Sequence, residues 1–140
     1  MTADAFFDTN ILLYAGSSAT ADAAKQRTAE KLLLTIPFAT SAQVLQEYIA
    51  NVLGKKSLGL REVNLSAMLE NLSMVEVLPI TRELVNQACQ LRRRFQISCW
   101  DATIVAAALE LGCKTLYTED LKDGQIYSGV RVINPFLAKE

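Results

Sequence analysis

The chain has 140 residues, 51% of them apolar and few of them Gly or Pro, which suits one compact domain with a substantial core and excludes a disordered chain. Lys and Arg number 14 against 15 Asp and Glu, a formal net charge of -1, so no global basic field announces a nucleic-acid partner. Histidine is absent. That removes the imidazole base of Ser-His-Asp and Cys-His chemistry and the usual ligand of catalytic zinc, and leaves catalysis to carboxylates, hydroxyls, thiols, Lys, Arg or bound metal.

In chain order, "ADAFFD" is short and apolar at its centre and suits a buried strand, and "NILLYA" opens a helix directly after it. Beyond "GSSA" a second helix is expected, with Ala21, Ala24, Thr28, Leu32 and Ile36 on its apolar face and Pro37 ending it; "FATS" is a strand. "SAQVLQEYIANVLGKK" is a strong helix on the stripe Val44, Leu45, Tyr48, Ile49, Val52 and Leu53, stopped by Gly54. "LREVNLSAMLENLSM" repeats the pattern through Leu60, Val63, Ala67, Leu69 and Leu72, and "VEVLPI" is a strand with Pro79 confined to its end. "TRELVNQACQLRRRFQI" is helical on Leu84, Ala88, Leu91 and Phe95. "SCWDATIVAAALELGC" is a further helix closed by Gly112, and "KTLYT" and "VRVIN" complete the strands.

Short apolar strands alternating with amphipathic helices imply an α/β domain spanning residues 1–140, with a central parallel sheet of about five strands covered by helices on both faces. Cys89, Cys99 and Cys113 form no C-x-x-C pair and read as small buried hydrophobes in a reducing compartment. The N-terminus has no signal-peptide pattern, and no apolar run approaches the ~20 residues of a membrane span, so a cytoplasmic protein without a membrane partner is expected.

In a parallel sheet, ligands collect at the carboxyl ends of the strands. Asp8 stands at such an end, and Glu119, Asp120 and Asp123 follow "KTLYT". Each acid also has an ordinary structural account. Asp8 precedes a helix and can cap it, Asp101 completes an S-x-x-D capping box with Ser98, Glu47 lies on a polar helical stripe with Gln43 and Asn51, and the later acids sit in a surface turn. Trp100 reads as a core or wall residue. Arg92, Arg93 and Arg94 suit the last turns of a helix, as Lys55 and Lys56 suit the end of another, and either group could instead grip phosphates or an acidic partner.

Together, "FFDTNILLYA", "SAQVLQEYIANV", "SCWDATIVAAALELGC" and "LYTEDLKDG", in this order and closed by "VRVINPF", resemble the PIN domain, and more narrowly the VapC-type toxin ribonucleases of bacterial toxin–antitoxin pairs. The resemblance implies a Mg²⁺- or Mn²⁺-dependent endoribonuclease whose four acids are Asp8, Glu47, Asp101 and Asp120, with Asp123 the second choice for the fourth position. Asp8 and Asp101 would be direct ligands, Glu47 and Asp120 outer ones, with Thr118 and Asn10 supporting them by hydrogen bonds. It also implies an RNA substrate, a homodimer, and a small antitoxin whose C-terminal segment fills the groove. Two rival readings stand beside it. A phosphatase of the haloacid-dehalogenase type needs a second Asp where Asn10 stands, and a non-catalytic PIN-like module would bind RNA or protein without cleaving.

Overall fold

The computed structural model describes residues 3–54 and 62–137. Among the described residues six strands form one sheet: β1 (Ala5–Phe7), β2 (Phe38–Ser41), β3 (Val77–Leu78), β4 (Thr115–Tyr117), β5 (Ile126–Tyr127) and β6 (Val130–Ile133). Their spatial order is β3-β2-β1-β4-β6-β5, and every pairing is parallel except β5 with β6. The strand order reverses direction between β1 and β4, so the carboxyl ends of these two neighbours frame the crevice where such sheets bind ligands.

Six helices lie among the described residues: α1 (Thr9–Ala15), α2 (Ala23–Thr35), α3 (Ala42–Leu53), α4 (Glu62–Asn71), α5 (Arg82–Phe95) and α6 (Cys99–Glu110). None is long and apolar enough to cross a membrane. Successive residues of β1 point to opposite faces of the sheet. Phe6 joins the larger core with Leu12, Val44, Tyr48, Leu84 and the alanine-rich α6, while Phe7 joins the smaller one with Ile11 and Ala29. There Phe7 stacks on Phe38 with ring centroids 4.2 Å apart.

The stripes on α3 and α5 bury as expected at Val44, Tyr48, Val52, Leu84, Ala88 and Leu91, although Leu53 is exposed. The second helix differs from expectation. A 3-10 turn (Thr20–Asp22) precedes α2, and Ala29 is its buried residue while Ala21 and Ala24 face solvent. On α4 the inward residues are Leu65, Met68 and then Leu72 beyond its end, whereas Ala67 and Leu69 are exposed. Leu60, Lys55 and Lys56, and the Val63 side chain, lie outside the described residues.

Helix α6 ends in a Schellman motif. Gly112 takes φ 75°, its N–H donates to Leu109 O, and Cys113 N–H donates to Ala108 O, which turns the chain into β4. The strand β5 was not anticipated from sequence. Its sign is the two-residue "SG" loop before "VRVIN": Ser128 and Gly129 both take positive φ, the geometry of a tight hairpin. Of the cysteines only Cys113 is buried; Cys89 and Cys99 are exposed, because their helices turn those positions to solvent. Trp100 is likewise 70% exposed at the start of α6 and is no part of the core.

Candidate active site

Asp8 follows β1 at the N-cap position of α1 and is 4% exposed. Its Oδ1 accepts from the adjacent Thr9 N–H at 2.7 Å, whereas a helix cap ordinarily reaches the second or third turn residue. Its Oδ2 accepts from the Thr118 hydroxyl at 2.8 Å, across from the end of β4. Burial outweighs these two bonds, with smaller contributions from the charges of Asp120 and Glu47, and pushes the Asp8 carboxyl up to about 6. Capping is therefore a local truth about Asp8 that leaves its burial unexplained.

Thr118 is fully buried and ties the two strand ends together. Its oxygen accepts from the Asp120 N–H at 3.0 Å and from the Asn10 amide at 3.3 Å while its proton goes to Asp8. The same Asn10 amide donates to Asp120 Oδ2 at 3.2 Å. Asp120 itself is solvent-facing, yet partial desolvation, then the charges of Asp101 and Glu119, hold its carboxyl above the usual range.

Glu47 reaches the crevice from α3 and is not a solvated helical acid. Its Oε2 accepts from the Thr9 hydroxyl at 2.7 Å and its Oε1 from the Gln43 amide at 3.1 Å, one helical turn earlier. Gln43 also donates to Trp100 O at 3.3 Å, which fixes the first turn of α6 against α3. Asp101 stands in that turn. Ser98 Oγ caps the helix by accepting from Asp101 N–H at 3.0 Å, but among the described residues the Asp101 carboxylate makes no hydrogen bond, so only half of the expected capping box is formed.

The four acids thus come from four segments of the chain and are linked by hydrogen bonds and by charge near the carboxyl ends of β1 and β4. Asp8, Thr9 and Glu47 are linked on one side, Asp8, Thr118, Asn10 and Asp120 on the other, and Asp120 feels the charge of Asp101. Asp123 is not among them. It is exposed, its Oδ1 accepts from Asn134 N–H at 2.8 Å, and it lines a separate groove with Thr28, Lys31 and Asn134. Among the described residues no three acidic or thiol groups are drawn together as a closed ligand set. The donors present are all oxygen, and the buried Asn10 Oδ1 atom beside them has no hydrogen-bond partner among the described residues. That donor set fits a hard cation such as Mg²⁺ or Mn²⁺ and does not fit zinc. Thr9 carries no signal of its role in the sequence, whereas Gln43, at i−4 to Glu47, stands on the same polar stripe and proves to be its hydrogen-bond partner.

The PIN domain family model matches residues 5–124. The chain belongs to the PIN domain family. Among solved structures, it is similar to a toxin–antitoxin complex from Klebsiella pneumoniae, with 26% identity, a TM-score of 0.66, and 94% of this chain and 98% of that one covered. It is also similar to VapC20 of Mycobacterium tuberculosis, a sarcin-ricin loop cleaving toxin, with 26% identity, a TM-score of 0.64, and coverage of 83% and 91%. VapBC2 of Rickettsia felis, solved with a fragment of promoter DNA, shares the fold at 22% identity, a TM-score of 0.63, and coverage of 91% and 96%. The curated proteins contain no match to this sequence. This PIN domain therefore has toxins of toxin–antitoxin systems as its structural neighbours, and its fold is the single α/β domain expected from the strand and helix pattern.

Proposed function

We propose that this PIN domain is a metal-dependent endoribonuclease, and the toxin of a toxin–antitoxin pair. The observation that carries the reading is the buried Asp8 carboxyl, held by Thr118 and Thr9, lifted to about 6 and within reach of the charges of Asp120 and Glu47, with Asp101 in turn acting on Asp120. A fold that crowds and desolvates carboxylates in this way loses stability on their account unless a cation offsets the repulsion. Asp8 and Asp101 are the residues to hold a Mg²⁺ or Mn²⁺ ion directly, with Glu47 and Asp120 as outer partners. The chemistry a bound divalent cation supplies is Lewis acidity toward phosphate oxygens and acidification of water.

The remaining work falls to the chain. Thr118 and Thr9 orient Asp8, Thr9 and Gln43 fix both oxygens of Glu47, and Asn10 holds Asp120. Single-stranded or looped RNA suits an open crevice, because its backbone is accessible. The neighbour solved as a toxin–antitoxin complex supports the reading of the chain as one half of a pair with a small antitoxin; a homodimer is proposed on the family resemblance alone.

The test is purified protein on total RNA with Mn²⁺ or Mg²⁺ and with a chelator, beside Asp8→Asn. Cleavage that needs the metal and disappears in the variant supports the reading. Equal cleavage by the variant removes Asp8 from the chemistry, and RNA binding without cleavage by the unsubstituted protein replaces the nuclease with a binding module.

A further inference from the structure

Glu119 lies between Thr118 and Asp120 and belongs to neither bond network described so far. Its Oε1 accepts from the Tyr14 hydroxyl at 2.7 Å and its Oε2 from Lys25 Nζ at 2.9 Å, the one ion pair among the described residues. Lys25 Nζ also donates to the Tyr14 hydroxyl at 3.2 Å and stands 4.6 Å from the Tyr14 ring centroid and 5.6 Å from that of Phe136. Tyr14 and Phe136 meet edge to face at 5.0 Å.

The cluster joins three elements around one turn. Tyr14 comes from α1, the helix that Asp8 begins; Lys25 comes from α2; and Glu119 leads into Asp120. The tripeptide 118–120 is therefore gripped from both sides, by Asp8 and Asn10 through Thr118 and Asp120, and by Tyr14 and Lys25 through Glu119. A partly exposed ion pair contributes about 0–1 kcal/mol to stability, so stability is a weak reason for this one. Geometry is a stronger reason, since sites of this kind need their groups held to within about 0.5 Å.

We infer that Tyr14, Lys25 and Glu119 are positioning residues that fix the turn carrying Asp120 at the geometry metal binding and cleavage require. The inference rests on the reading of Asp120 as part of a metal site. The Lys25 charge is committed to Glu119 and two aromatic rings and is not left free to meet an RNA phosphate.

The experiment compares the unsubstituted protein with Lys25→Met, Lys25→Arg and Tyr14→Phe. It records Mn²⁺ affinity by calorimetry without RNA, kcat and KM on a defined single-stranded RNA, and the metal-free melting temperature. Outer partners of metal ligands typically carry about 10- to 100-fold in affinity or activity, so Lys25→Met is expected to weaken Mn²⁺ binding and kcat by about tenfold, with Tyr14→Phe in the same direction. KM and the metal-free melting temperature should stay close to those of the unsubstituted protein, and Lys25→Arg should recover most of the loss. Unchanged Mn²⁺ affinity in Lys25→Met overturns the proposal alone. A rise in KM with a shallower salt dependence overturns it in favour of an RNA-gripping lysine. If the unsubstituted protein binds no Mn²⁺, the metal-site reading falls and the proposal falls with it.

Discussion

The Thr118 hydroxyl donates to Asp8 Oδ2 at 2.8 Å and thereby bolts the end of β4 to the end of β1 at the point where the strand order reverses. Thr118→Val keeps the shape and removes the proton. It strands one oxygen of a buried carboxylate and two donors, from Asn10 and Asp120. The expected cost is about 1–3 kcal/mol by urea unfolding at pH 7.5, with cleavage reduced and Thr118→Ser restoring most of both.

Asp8 makes the metal-free protein less stable at neutral pH than in mild acid. Its carboxyl is pushed up to about 6 when folded, against an ordinary 3.8 for a solvated aspartate. The folded state therefore holds its proton more tightly, and the stability this gives is fully present below pH 3.8 and is lost as pH rises through 6. The penalty above pH 6 is on the order of 3 kcal/mol for a shift of this size. The raised carboxyl of Asp120 acts in the same direction. In chelator, Asp8→Asn should be more stable than the unsubstituted protein at pH 8 and should flatten the trend between pH 7 and pH 5. A destabilised Asp8→Asn would restore the helix cap as the main purpose of the residue.

Asp120 and Asp123 separate cleanly. Asp120→Asn should abolish most cleavage, because it removes a charge from the crevice, whereas Asp123→Asn should leave the rate within about twofold. The only loss expected at Asp123 is the bond to Asn134 N–H, about 1 kcal/mol at most in so exposed a place, read from the urea midpoint.

Much of this was legible in the chain. Helical patterning marked α3, α5 and α6, and short apolar runs marked the parallel strands that align Asp8 with the turn after Tyr117, because those patterns are set by burial against and within a sheet. What was hidden depends on phase and on partners far away in sequence. On α2 the expected Leu32 and Ile36 pack inward but with Ala29 rather than with Ala21 and Ala24, and Trp100 and Cys99 face solvent in the first turn of α6. Asp120 and Asp123 look alike in "TEDLKDG", and only the path of β6 reveals that Asp123 is occupied by Asn134. Glu47 looked like a solvated acid because Thr9, 38 residues earlier, is invisible from its helix.

Divalent metal should stabilise the protein in proportion to its binding. At 100 times the dissociation constant the gain is about 2.7 kcal/mol, readable as a rise in melting temperature with Mn²⁺ that Asp8→Asn should lose.

The most direct measurement of the central claim uses Asp101, whose carboxylate bonds nothing among the described residues, so that its loss is expected to leave the fold intact. Asp101→Asn and the unsubstituted protein are compared for Mn²⁺-dependent cleavage of one single-stranded RNA, with melting temperature recorded for both. The four-acid site predicts a fall in rate of about 100-fold or more, the scale on which loss of a group that stabilises transition-state charge is felt, at an unchanged metal-free melting temperature. Cleavage at the unsubstituted rate would contradict it.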